Sequence, residues 1–127
     1  MGLVVAPSDL NLTLYQGASL QQTWSWRYGL DEESAEPVDL TSATARAQVR
    51  RTRASRDVLL DMTTAGGEIT LSAIGEITLH VPGAVTAALP TLPVGMPAFW
   101  DLEIVWPDGD ICRLLQGRVT ISPEVTR

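Results

Sequence analysis

The chain has 127 residues, 45% of them hydrophobic, and carries 9 basic and 15 acidic side chains for a formal net charge of −6. That length suffices for one domain with its own core, while one cysteine, Cys112, and one histidine, His80, exclude an internal disulfide and a metal cluster built from Cys and His. The acidic balance speaks against a general nucleic-acid binder, and no apolar run approaches the roughly 18 residues that a membrane span needs.

The opening segment, MGLVVAPSDL, has no basic start and only a short apolar patch. No signal peptide is expected, so the protein is read as soluble and made in the cytoplasm. Residues 1 to 9 are read as an extended docking arm. Next, LNLTLY alternates Leu10, Leu12 and Leu14 with polar partners, the pattern of a half-buried strand. After a Gln-Gly break, SLQQTWSWRY sets Leu20, Trp24, Trp26 and Tyr28 on one face of a second strand, with Thr23, Ser25 and Arg27 on the other. Residues 29 to 37 are acidic, small or turn-forming and read as an exposed loop.

The segment VDLTSATARAQVRRT predicts a third strand with Ala45, Ala47 and Val49 inward and Arg46, Gln48 and Arg50 outward. GEITL occurs at 67 to 71 and again at 75 to 79, which predicts a hairpin turning over Ser72 to Gly75. Residues 82 to 90, PGAVTAALP, form the one stretch where a helix is favoured, of one or two turns. The proline-rich PTLPVGMP then crosses one end as a loop. Finally, Trp100, Leu102, Ile104 and Trp106 point one way and Asp101, Glu103 and Val105 the other. Pro107 to Asp110 turn the chain, and a return strand runs from Ile111 with Gly117 marking a bulge or bend. Together these segments predict an all-β protein: a single antiparallel β-sandwich domain of about eight strands, immunoglobulin-like or jelly-roll-like, with one short helical turn.

Chemistry is sparse. His80 faces outward with no nucleophile placed beside it by a recognised motif, and Cys112 sits in a strand as a small core residue. Asp101 and Glu103 share a strand face, as a glycosidase or calcium pair would, but one strand supplies only two ligands. Phosphate-binding, dinucleotide and nucleophile-elbow motifs do not occur. The expectation is a protein that is not an enzyme and has no cofactor and no metal site. Four tryptophans, at 24, 26, 100 and 106, could line a carbohydrate platform, but the core or a subunit interface is the favoured place for them; they exceed what a core of this size needs, so at least one is expected at a partner. Acidic residues at 31, 32, 33, 36 and 39 precede arginines at 46, 50, 51, 53 and 56, opposed patches suited to steering subunits into register. The residues assigned to partner contact are Arg46, Arg50, Arg51, Arg53, Trp24 and Trp26.

The succession of PVDLTSATARAQVR, LLDMTTAGGEITL, GEITLHVPGAVTAALP and WDLEIVWPDGDICRLLQGRVTISPEV, over residues 37 to 125, resembles a small β-domain of tailed-bacteriophage virion proteins. It is similar to the N-terminal domain of upper baseplate proteins and to short stand-alone phage structural proteins. The resemblance implies a multi-copy building block of a tail, baseplate or fibre-attachment device, localised to the virion. Its partners would be other virion proteins and copies of itself, with no nucleic acid and no membrane. No fibre region follows Arg127, so host recognition is not expected of this chain. Two alternatives stand beside this reading: a capsid decoration protein on the phage head, and a carbohydrate-binding module using exposed tryptophans.

Overall fold

In the computed structural model of the protein, the described residues are 3–5, 9–31, 33–93 and 95–126. They form the strands β1 (Leu3–Val5), β2 (Leu12–Tyr15), β3 (Leu20–Ser25), β4 (Arg27–Gly29), β5 (Glu36–Pro37), β6 (Thr44–Arg50), β7 (Val58–Thr63), β8 (Ile69–Leu71) and β9 (Glu76–Val81). After these come the helix α1 (Gly83–Ala87) and the strands β10 (Ala98–Val105) and β11 (Ile111–Ser122). One sheet has the order β2-β11-β10-β6-β7 and a second β3-β9-β8, while β1, β4 and β5 make a small third sheet. The all-β, sandwich-like fold read from the sequence is therefore the fold adopted, its eight main strands lying in the two larger sheets.

Alternation builds the core. Along β10, Ala98, Trp100, Leu102 and Ile104 are buried, and the partner strands contribute Ala45, Ala47 and Val49 from β6 and Leu115, Val119 and Ile121 from β11. The three-stranded sheet meets them with Ile69, Ile77, Leu79 and Val81. Each fully buried aliphatic side chain of this kind contributes about 1.5–3 kcal/mol relative to exposure. The β10–β11 hairpin closes over Pro107 to Asp110. Gly109 adopts a φ of 95° there, and the Asp108 carboxylate accepts the Asp110 N–H at 2.9 Å, which accounts for both aspartates as turn residues.

The short helix, which follows Pro82, anchors the β2–β3 turn. Its Thr86 is fully buried, donates its hydroxyl to the Ala18 carbonyl at 2.8 Å and accepts the Gly17 N–H at 3.1 Å. Gln16 adds a side-chain bond to the Leu89 carbonyl at 2.8 Å, so the β2–β3 turn is pinned to the helix from both sides.

Several expectations are corrected. The strand expected to carry Trp24, Trp26 and Tyr28 on one face breaks at Trp26, whose N–H bonds to Gly75 and whose carbonyl accepts from Val38. The backbone there leaves β9 as its partner, and β4 pairs instead with β1 and β5. Residues 29 to 37 are not wholly an exposed loop: Ala35 is buried and Glu36–Pro37 form β5. The bulge lies not at Gly117 but at Leu114, where the pairing steps from Leu102↔Leu115 to Glu103↔Arg113 and two successive leucines turn inward. Gly117 instead permits a close approach, since a Cβ there would lie 1.9 Å from the Leu10 carbonyl oxygen. The sandwich is also not wholly antiparallel, because β2 runs parallel to β11, from Val119↔Leu12 to Ser122↔Tyr15. The docking arm expected over residues 1 to 9 falls mostly outside the described residues; within it, β1 pairs antiparallel with β4.

Candidate functional site

Two surfaces hold the residues that could meet a partner. The first is the outer face of the larger sheet. The outward positions of β6, β10 and β11 interleave there, and a depression of about 350 Å³ is lined by Gln48, Arg50, Arg53, Phe99, Asp101, Glu103 and Arg113. Register puts Arg46 opposite Glu103 and Glu103 opposite Arg113. Arg46 bonds Glu103 at 2.9 Å, and Arg113 reaches Asp101 at 3.6 Å. These groups are solvated, so each pair contributes a few tenths of a kcal/mol, up to about 1 kcal/mol.

Arg50 is held more firmly. Its guanidinium donates to the Gln48 side-chain oxygen at 2.7 Å and to the Ser55 carbonyl at 2.5 Å, tying the strand to the loop that follows it. Arg53 folds back over the Phe99 ring, 5.0 Å from its centroid. Three of the four arginines assigned to partner contact thus converge on one face, and Arg51 is exposed in the adjoining loop.

Among the described residues, no acidic side chain of positions 31 to 39 pairs with these arginines. The two ion pairs among those residues are those of the sheet face, and Asp31 and Asp39 cap their own turns. Asp39 accepts the Thr41 N–H at 3.0 Å and its hydroxyl at 2.7 Å, which holds the Asp39 carboxyl below its ordinary value, the N–H bond being the larger cause. Asp31 is lowered in the same way, foremost by the Ser34 N–H at 2.8 Å. Within one chain, among the described residues, the arginines of the sheet face pair with Glu103 and Asp101 of that face, and Asp31 and Asp39 cap turns of the acidic segment.

The second surface is built from the tryptophans, which form two tilted pairs. Trp24 meets Trp100 across the sandwich at 5.9 Å between ring centroids, and Trp26 meets Trp106 at 6.1 Å. Trp100 is buried and donates its Nε1–H to the Leu10 carbonyl at 2.8 Å. Trp24 is half-buried against the core. Trp26, assigned to partner contact, is only 8% exposed, so its ring is spent on the core; its Nε1 is buried with no acceptor.

The aromatic surface actually offered lies beside it. A cleft of about 420 Å³ is lined by Trp26, Tyr28, Glu36, Pro37, Val38 and Trp106. Tyr28 is 52% exposed and Trp106 half-buried. Sequence reading missed this cleft because it placed Tyr28 inward; after the break at Trp26, Tyr28 is exposed. The tryptophan at 106, which opens the turn after β10, was the signal available.

The remaining chemical groups stay apart. His80 is exposed on the outer side of β9, and Cys112 is a half-buried free thiol packed against the core. Among the described residues no three His, Cys, Asp or Glu side chains come together as metal ligands, and no helix is long and apolar enough to cross a membrane. Against known proteins, the chain matches no family model and no curated sequence.

Proposed function

We propose that the chain is a non-enzymatic structural subunit of a tailed-bacteriophage virion, a multi-copy adaptor in the tail, baseplate or fibre-attachment region. The observation that carries a docking role is the Tyr28–Trp106 cleft: an apolar, aromatic-walled recess on an end of the sandwich, the kind of surface where interface energy concentrates. The assignment to a virion is supported by the resemblance over residues 37 to 125. The test is mass spectrometry of gradient-purified phage particles. The proposal expects this chain among the structural proteins at several copies per particle, and its absence from washed particles overturns it.

The same cleft favours one second reading. Sugar rings stack their C–H faces on tryptophan and tyrosine, and the Glu36 carboxylate could accept sugar hydroxyls at its rim. A glycan array probed with the wild-type chain and with Tyr28→Ala separates the two. Selective glycan binding that the substitution abolishes, in a chain absent from particles, installs the carbohydrate-binding reading in place of the first.

A further inference from the structure

We infer that the chain forms a two-fold dimer by antiparallel pairing of β3 with β3 of a second copy. This deepens the multi-copy reading above, on which its biological use rests, by naming the surface. The two larger sheets leave four outer strands: β2, β7, β3 and β8. Unprotected edges recruit further strands, and folded proteins blunt them by shortness, charge, proline or bulges. Three of the four are blunted here. β8 has three residues and β2 four. β7 carries an extra residue at Leu59, a charge at Asp61, and a Thr63 N–H already bonded to the Glu68 carboxylate at 3.0 Å.

β3 has none of these defences. Its six residues, LQQTWS, contain no charge and no proline, and they pair with β9 without interruption from Leu20↔Val81 to Ser25↔Glu76. Among the described residues, no strand pairs with its far side. Gln21, Gln22 and Thr23 are all exposed, although Gln22 shares a face with the half-buried Leu20 and Trp24. Among the described residues, the centre of the strand is therefore open both at its edge and on its inner face.

The strand is complementary to itself. Residues directly opposed across an antiparallel pair must lie on the same face. An axis through Gln22 satisfies that rule, placing Leu20 opposite Trp24 of the second copy on the inner face, twice, and Gln22 opposite itself. On the outer face Gln21 meets Thr23. Every opposed pair is apolar with apolar or hydrogen-bonding with hydrogen-bonding, and no charge is set against its like. A foreign peptide would have to match this pattern, whereas a second copy matches it by symmetry. The result is one continuous sheet of order β8-β9-β3-β3-β9-β8.

The test is solution mass by light scattering across a concentration series, at low and high salt. The wild-type chain is expected to rise from 13.7 kDa to twice that mass with concentration, equally at both salt levels because the contact is uncharged. Gln22→Lys and Gln22→Glu each place like charges across the axis and are expected to stay at the monomer mass, with unchanged circular dichroism because Gln22 is exposed. An equimolar mixture of the two restores the doubled mass. A wild-type chain that stays monomeric throughout, or a dimer that survives both substitutions, overturns the inference. A monomer found in virions would sink this dimer and leave the virion reading standing; a dimer absent from virions would do the reverse.

Discussion

Replacing Gly117 by alanine probes the glycine whose added Cβ would meet backbone most closely among the described glycines. The added Cβ would lie 1.9 Å from the Leu10 carbonyl oxygen and 3.1 Å from Asn11 Oδ1, so the Leu10–Asn11 segment that leads into β2 must withdraw by about 1.5 Å to reach ordinary contact. That oxygen accepts the buried Trp100 Nε1–H at 2.8 Å, and the Leu10 N–H itself bonds the Gln116 carbonyl at 2.8 Å. A shift of that size breaks both. Orphaning a buried indole N–H costs about 1–3 kcal/mol and losing the strand bond about 1 kcal/mol, against about 0.4–1 kcal/mol gained from a less flexible unfolded chain. The net expectation is a loss of about 2–3 kcal/mol, or roughly 10 °C in Tm for a domain of this size. Urea and thermal unfolding followed by tryptophan fluorescence measure it. In a Trp100→Phe background the same substitution should cost at least about 1 kcal/mol less, because the indole bond is already gone. A Gly117→Ala protein melting within about 2 °C of wild type, or full additivity with Trp100→Phe, would refute the reasoning.

Three further outcomes follow from the same geometry. Trp26→Phe should cost about 1–3 kcal/mol less in urea unfolding than Trp100→Phe, since Trp26 Nε1 has no acceptor to lose while Trp100 leaves the Leu10 carbonyl unpaired. Thr86→Val, nearly isosteric, should lower stability by about 1–2 kcal/mol by releasing the β2–β3 turn from α1, read as a fall in urea midpoint at constant m-value. The Asp39 carboxyl should titrate below the ordinary aspartate value by NMR. Its contribution is complete above that ordinary value and is lost as pH falls through the lower folded one, and Thr41→Val should raise the midpoint only part of the way back, because the N–H bond, the larger cause of the lowering, remains.

What the sequence made legible was whatever is encoded locally. The β10–β11 hairpin could be read because alternation over Trp100 to Ile104 and an Asp-Gly pair both act within a few residues, and the β8–β9 hairpin and the inward face of β6 were readable on the same ground. The parallel pairing of β2 with β11 left no local mark, since it joins segments more than a hundred residues apart. Gly117 was misread for that reason: its partner is the Leu10 carbonyl, not a neighbour on its own strand. At Trp26 the alternation continues through Tyr28, yet the hydrogen-bonding partner changes from β9 to β1 and β5, and a period of two cannot register a change of partner. The arginines were grouped by sequence proximity, whereas strand geometry sorts them by face. Arg46 therefore meets Glu103, 57 positions away, rather than the acidic loop just before it. The candidate cleft was hidden by the same change of partner at Trp26, beyond which Tyr28 and Trp106 line one cleft.

The most direct test of the account is gold-labelled antibody against this chain on intact purified phage particles, viewed by electron microscopy. The account predicts repeated label at the tail, concentrated at the baseplate or fibre-attachment end. Label spread over the head would contradict the tail assignment in favour of capsid decoration, and unlabelled particles in a lysate rich in the free protein would contradict a structural role in the virion altogether.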